Sequence, residues 1–444
     1  MAGVLVVSPE YLGLILLGAL LIGIFAGFPV AFTLIILAVV FGFIEFGDTV
    51  FFQMVLQALG LMKEETLAAV PLFIFMGHVL ERTGLMERVF SSFQFILWRV
   101  KGSLYLGVLL TTTIFATATG IIGASVTVIG MLAVPAMKKS RYDPSLSAGV
   151  ITAGGCLGIL IPPSVMLVVM GPVLGISVVH LFAAALIPGL LLAGLYVTYT
   201  MVRCYLNPAL GPPLPPELRP ASRLQMLWEF FFGIVPLVVV IFAALGSIIF
   251  GLATPTEAAA MAATGSLVLA VLYRRLNLKI IREASLETLR TTSLIMFLAV
   301  ASNIYGSVFS RLGTGQLLAD WILALAAPPL VVLVLLMVVI FILGWPLEWP
   351  AIVFIFVPIF LPVVQALNFD LIWFATLLAI NLQTAFLSPP VAMAAYYLKA
   401  VAPDWDLVQI YKGMAQFMML QLVGLAIVFL FPEVALWLPR VLFP

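Results

Sequence analysis

The chain is 444 residues long, 64% hydrophobic and only 9% charged, against roughly a quarter charged in an average soluble domain, so its natural solvent is lipid. A net charge of +1 excludes a global field suited to nucleic acid or to partners of one sign. Cys156 and Cys204 lie far apart without CxxC spacing, which suggests neither a disulfide framework nor a cysteine metal knuckle, and the absence of any Gly-Lys dipeptide or HExxH spacing excludes an ATPase phosphate loop and that zinc motif.

Met1 to Glu10 carries no basic residues ahead of the first apolar run, so the first segment reads as a retained helix and not a cleaved signal peptide. Further along, Leu85 to Trp98 (LMERVFSSFQFILW) is amphipathic and suits the membrane interface. Gly102 to Met137 holds no Asp, Glu, Lys or Arg, a run longer than the ~20 residues that span a bilayer. Its middle, Ala116 to Ser125 (ATATGIIGAS), is rich in Gly, Thr and Ser, as the tip of a helical hairpin would be. Asp143 before Pro144 reads as a helix N-cap with proline at the first helical position. The uncharged run from Pro144 to Val202 then contains GILIPPS, Gly158 to Ser164. Proline supplies no N–H and disfavours helix in the residue before it, so the helix breaks at Pro162 and Pro163.

Leu206 to Arg223 contains six prolines and divides the chain almost in half, a position that suggests an internal repeat. Pro135, Asp143, Pro162 and Pro163 recur as Pro362, Asp370, Pro389 and Pro390, each at an offset of 227. Gly77, Arg82 and Gly84 recur as Gly306, Arg311 and Gly313 at an offset of 229, and Pro29 answers to Pro255 at 226. The expected organisation is a first repeat over 1–203, a linker over 204–225 and a second repeat over 226–444. Within these, hairpins are expected over 102–138 and 327–366, and broken helices over 144–172 and 371–399. Thr254 to Glu257 reads as a capping box opening a helix, so Glu257 is assigned to structure.

Basic residues give the orientation. Arg82, Arg88, Arg99, Lys101, Lys138, Lys139 and Arg141 flank the connections of the first half, and Arg274, Arg275, Lys279, Arg282 and Arg290 cluster in the second, whereas no Lys or Arg lies between Arg311 and Lys399. By the positive-inside rule the basic sets are cytoplasmic and the corresponding second-half loops periplasmic, which makes the repeat inverted. The second hairpin then has its tip at Gly344 to Pro350 (GWPLEWP) and is preceded by a second amphipathic stretch, Thr314 to Ala326. About ten spanning helices plus two hairpins are expected. His78 and His180 read as packing or interfacial residues, and Trp98, Trp228, Trp321, Trp345, Trp373 and Trp437 as interfacial belt anchors.

Broken helices at mid-membrane free carbonyls for cations and N-terminal ends for carboxylates. Polar residues gather at these places: Thr117, Thr119, Ser125, Thr127 and Thr152 in the first half, Asn381, Gln383, Thr384 and Ser388 in the second. Singly, such residues are more often glue between helices, but the cluster reads as a site. Glu348 is an ionisable residue in an otherwise uncharged membrane segment, which is costly and usually functional.

Taken together, Thr119 to Pro144 (TGIIGASVTVIGMLAVPAMKKSRYDP), ILIPPS (Ile159 to Ser164), GLATPTEAAA (Gly251 to Ala260) and NLQTAFLSPP (Asn381 to Pro390) resemble the large permease subunit of tripartite ATP-independent periplasmic (TRAP) transporters, within the ion transporter superfamily. The resemblance covers nearly the whole chain. It implies an all-α polytopic membrane protein of two inverted repeats, in which a transport domain of hairpins and broken helices slides as an elevator against a scaffold. It further implies sodium as the coupling ion in place of ATP and location in the bacterial inner membrane. The implied partners are a small four-helix membrane subunit, for which no fused segment precedes the first repeat, and a periplasmic substrate-binding protein. Sodium ligation then falls to Gly123, Ser125, Thr152 and Gly155 on one side and Glu348, Asn381 and Thr384 on the other. Thr119, Pro162, Ser164, Gln383, Ser388 and Pro389 are the candidate substrate contacts. Relatives often carry a Ser-Gly-Ser first tip where this chain has Gly123, Ala124, Ser125, as in the branch labelled for mannitol or chloroaromatic compounds, and Asp where it has Glu348. The implied substrates are small organic acids, including 2-oxo acids. A stand-alone ion-coupled carrier is the alternative; an intramembrane enzyme is disfavoured, because no paired aspartates and no His beside a nucleophile are present.

Overall fold

The computed structural model describes residues 8–120, 122–215, 222–324, 327–389 and 391–443, without the side chains of 116–119, 223, 225 and 323. The expectations for Thr117, Thr119, Pro390, part of the proline-rich linker and the end of the second amphipathic stretch therefore lie outside the described residues.

The described chain is helical, with no strand among the described residues. Helices α1 (Pro9–Phe25), α2 (Val30–Phe46), α3 (Thr49–Met62), α4 (Ala69–Arg82) and α5 (Leu85–Ile96) lead to α6 (Ser103–Thr119) and α7 (Ile122–Lys139). These are followed by α8 (Pro144–Cys156), α9 (Val165–Leu174) and the long α10 (Val178–Leu206). After the proline-rich segment come α11 (Arg223–Gly233), α12 (Val235–Ile249), α13 (Pro255–Leu272), α14 (Leu278–Arg311) and α15 (Thr314–Ala324). The chain closes with α16 (Pro329–Leu343), α17 (Trp349–Ala351), α18 (Val357–Ala366), α19 (Leu371–Leu387), α20 (Met393–Val401), α21 (Leu407–Leu430) and α22 (Glu433–Leu442). Among the described residues, seven helical stretches are long and apolar enough to cross a membrane. Other apolar segments are shorter helices, among them α8 and α9, which follow one another across a break.

Local chemistry fixes the helix starts. The Asp143 carboxylate accepts from the Leu146 amide at 2.7 Å, and that of Asp370 from Ile372 and Trp373 at 2.8 and 3.1 Å, so each opens its helix by satisfying orphan amides. Thr254 and Glu257 form the reciprocal capping box, which gives Glu257 a structural role. Helix α8 is interrupted after Cys156, where a tight turn over Leu157–Ile159 leads to the Pro162–Pro163 pair. Helix α19 stops at Leu387 ahead of Pro389, and α20 begins after Ala392, whose φ is +43°.

Two groups of helices result. One holds α2, α3, α4, α12, α13 and α14; the other packs α8 against α6, α7 and α21, with α10 against α19, α21 and α22. Small residues permit the close approach: a Cβ on Gly413 would strike the Ser145 carbonyl, and one on Gly149 the Phe417 ring. Helix α5 pairs with α11, and α15 with α18.

Two expectations change. The first part of the proline-rich segment is docked: Gly211 O accepts from the Gly102 amide at 2.9 Å, and Leu210 O from the Asp143 amide at 3.1 Å and the Tyr105 hydroxyl at 2.8 Å. Trp373 is buried and its indole donates to Val428 O at 2.9 Å, so it ties α19 to α21 and is not a belt anchor.

Arg82 pairs with Glu283, Lys138 with Asp404 at 2.7 Å, and the Arg88 guanidinium lies 4.8 Å from the Tyr273 ring centroid. The hydrogen bond from Lys138 and its charge hold the Asp404 carboxyl below the usual carboxylate range.

Candidate functional site

Between α6 and α7, where the sequence leads one to expect the first of two hairpin tips, Gly120 has φ +60°, a left-handed conformation that glycine adopts without strain. The second is the turn from Leu343 through Glu348 into α17. The tips meet at a cavity of about 120 Å³ lined by Gly120, Ile122 and Gly123 from the first and by Glu348, Trp349 and Pro350 from the second. Val165, at the start of α9, and Phe386 and Tyr397, either side of the break between α19 and α20, complete the wall. Ile74 of α4 with Thr291, Leu294 and Ile295 of α14 close it on the other side. The site is therefore built where two tips and two broken helices face helices of the other group.

Of the sequence-assigned residues, the cavity brings together Gly123 and Glu348, one from each half of the chain. Ser125 lies on α7, and Thr152 and Gly155 lie on α8, which packs against it. A Cβ on Gly155 would meet Val126 at 2.5 Å, so glycine lets these backbones touch. The Thr152 hydroxyl donates to Ala148 O at 2.7 Å within its own helix, and Ser125 is buried. On α19, Asn381 donates to Met337 O at 2.7 Å and ties the broken helix to α16, while the Thr384 hydroxyl donates back to Asn381 O at 2.5 Å. Ser164 similarly donates to Ile159 O at 2.6 Å across the first break.

Gln383 and Ser388 differ. Both are buried, and neither the Gln383 amide nor the Ser388 hydroxyl has a hydrogen-bond partner among the described residues. Unpaired buried polar groups are expensive and are ordinarily satisfied by ordered water, an ion or a ligand. A hard cation takes oxygen donors, and the Gln383 Oε1, the Ser388 Oγ and the carbonyls freed at the break are of that type. Gln383 and Ser388 thus offer oxygens of the type a hard cation takes. No cluster of three or more His, Cys, Asp or Glu residues that could hold a metal occurs among the described residues. Pro162 is buried in the first break and Pro389 exposed in the second; neither lines the cavity.

Sequence reasoning missed Tyr397, Phe386, Trp349 and the wall from α14. Tyr397 sits one turn into α20, so its direction follows only once the helix start at Met393 is known. Thr291 and Ile295 come from a helix that carries no break, and its basic cluster and its repeat matches at Gly306 and Arg311 do not point to them.

Comparison with known proteins gives a consistent answer. The family model described as tripartite ATP-independent periplasmic transporter, DctM component, matches residues 17–434. The chain is 30% identical to the sialic acid TRAP transporter large permease protein SiaM of Vibrio cholerae, over 94% of this chain and 96% of that one. It is 31% identical to the C4-dicarboxylate TRAP transporter large permease protein DctM of Pseudomonas aeruginosa, over 84% and 86%. It is 28% identical to the 2,3-diketo-L-gulonate TRAP transporter large permease protein YiaN of Escherichia coli, over 88% and 90%. Among solved structures, the YdaH transporter of Alcanivorax borkumensis superposes with a TM-score of 0.65 over 99% of this chain and 100% of that one, at 16% identity, a likeness of fold.

Proposed function

The chain belongs to the family of tripartite ATP-independent periplasmic transporter DctM components, and on that premise we propose that it carries a small organic acid inward across the bacterial inner membrane, coupled to sodium. The observation that carries this reading is the cavity in which Gly123 of one tip faces Glu348 of the other, with both broken helices at its wall. Such a juncture of tips and helix breaks is where secondary carriers bind solute and ion near the bilayer midplane.

The substrate would contact the tip backbones and the rings of Tyr397 and Trp349 in that cavity. Coupling sodium would be held by oxygens of α19 and its break, with Gln383 and Ser388 joining the sequence-assigned Asn381, Thr384 and Glu348. A second ion would lie in the seam of Gly123, Ser125, Thr152 and Gly155. Sodium supplies positive charge that favours a carboxylate beside it. The acids named for three relatives, sialic acid, a C4-dicarboxylate and 2,3-diketo-L-gulonate, all carry a carboxylate, which supports an organic acid as the solute.

The matched Asp143 and Asp370 caps support a repeat, and the basic residues around Lys138 support its inversion, with that end in the cytoplasm. In this reading the group around α8, α10, α19 and α21 moves as an elevator against the group around α2, α4, α13 and α14. Partners are a periplasmic binding protein and a small membrane subunit. Identification of the acid that co-purifies with the cognate binding protein, followed by its uptake into proteoliposomes with and without that protein, tests the assignment. A stand-alone carrier would transport equally well without it.

A further inference from the structure

A second cavity, of about 760 Å³, lies among α3, α9, α14, α15 and the second hairpin. Small-molecule sites commonly occupy ~300–1,000 Å³, so it is large enough to hold a solute with water. It continues along the same elements that wall the cavity between the tips. On α9, Val165 lines the tip cavity and Val169 the larger one; on α14 the pair is Ile295 and Ala299; in the second hairpin it is Pro350 and Phe354. Each pair is four residues apart, about 6 Å of helix, so a single layer of side chains divides the two spaces. Phe354 belongs to a π-helical turn, Ile352–Phe356, an irregularity that recurs at functional sites.

From this layer the larger cavity follows α14 outward to Arg311, about 18 Å of helix at ~1.5 Å per residue. Arg311 is exposed at the rim and is the only Lys or Arg among the described lining residues. No carboxylate pairs with it among the described residues. The single acidic lining residue, Glu64, has its carboxylate turned to its own turn, accepting from the Thr66 hydroxyl at 2.9 Å. Deeper in, Ser302 is buried and its hydroxyl has no partner among the described residues.

We propose that this vestibule is an access subsite for the transported anion, with Arg311 at the rim attracting its carboxylate, the Ser302 hydroxyl offering a hydrogen bond further in, and the layer at Phe354 separating it from the cavity between the tips. The proposal rests on the reading that the tip cavity receives a small organic acid. A cation in an aqueous cleft raises the local concentration of anions and is screened by salt. A cation in the last turn of a helix also stabilises that helix end, and the two roles are separable.

The test uses the full chain with Ser307→Cys or, separately, Ser302→Cys, labelled by the anionic reagent methanethiosulfonate ethylsulfonate or the neutral methyl methanethiosulfonate. Ser307 lines the same cavity and is part exposed, so its variant reports even if Ser302→Cys perturbs folding. Native Cys156 and Cys204 are buried, which makes the unmodified chain the blank. Adding Arg311→Gln is expected to lower the anionic-to-neutral rate ratio about threefold at low salt, as loss of one unit charge several ångströms away in water requires, with the difference vanishing at high salt. In uptake of succinate or pyruvate, Arg311→Gln raises the half-saturating acid concentration and leaves that of sodium unchanged. A labelling ratio indifferent to Arg311 overturns the proposal and leaves a helix-end charge only. Charge-selective labelling with no organic acid transported would instead sink the functional reading and keep the vestibule.

Discussion

Gly123 and Tyr397 are in contact across the two halves of the chain: a Cβ placed on Gly123 would stand 3.0 Å from Cζ of the Tyr397 ring. The first hairpin tip is thereby seated on the helix that follows the second break. Movement of one requires movement or accommodation of the other.

Gly123→Ala is therefore expected to displace the Tyr397 ring and lower uptake. Overpacking costs about 1–3 kcal/mol, or roughly tenfold in rate where it falls on the transport step. Tyr397→Leu in the same chain makes room and is expected to recover part of the loss. A double-mutant cycle on initial uptake rates checks this, and strict additivity of the two changes would show that the contact is idle.

Asn381 and Thr384 are expected to separate stability from coupling. Asn381→Ala removes the hydrogen bond to Met337 O and leaves a buried carbonyl unpaired, a loss of about 1–3 kcal/mol that thermal unfolding in detergent reads. Thr384→Ala removes a bond back to its own helix and one buried methyl group, so its unfolding midpoint is expected to fall less than that of Asn381→Ala. Its effect, and that of Ser125→Ala, is expected in the sodium concentration for half-maximal uptake. If both variants keep the wild-type value, the ion assignment is wrong.

Much of this arrangement is legible in the sequence, for identifiable reasons. Proline pairs and N-cap aspartates act through local backbone chemistry, so the breaks at Pro162 and Pro389 and the caps at Asp143 and Asp370 could be placed by spacing alone. Tertiary placement could not. Nothing in the local sequence shows that Trp373 is buried against Val428, that Leu210 and Gly211 dock on the starts of α6 and α8, or that Ile295 walls a cavity. Those facts depend on which helices become neighbours. Thr152 shows the converse limit, since a polar side chain at the right height can spend its hydrogen bond on its own helix.

The close approach of α21 to α8 yields an expectation about folding. A side chain at Gly413 would enter the Ser145 carbonyl, which is backbone and cannot swing away. Gly413→Ala is expected to cost at least ~2 kcal/mol and to lower the yield of folded protein in detergent, whereas Gly18→Ala, with open space around it, is expected to behave as wild type.

Acid is expected to act on the Lys138–Asp404 pair. The carboxyl of Asp404 is held below its ordinary value of about 3.9 by Lys138. A group depressed in the folded state contributes above its unfolded pKa and loses that contribution as pH falls through the folded one. The difference in unfolding midpoint between wild type and Lys138→Gln should thus be constant from about pH 7 to pH 5 and close below about pH 4. A difference that grows as pH falls would contradict the assignment.

Sodium-driven uptake is the central claim, and flux measurement addresses it most directly. Proteoliposomes carrying the chain with its small partner subunit would be given radiolabelled acid on the cognate binding protein, under an inward sodium gradient or with potassium in its place. The expected result is accumulation with sodium alone, without ATP, abolished when the binding protein is omitted. Equal accumulation in potassium would contradict the account.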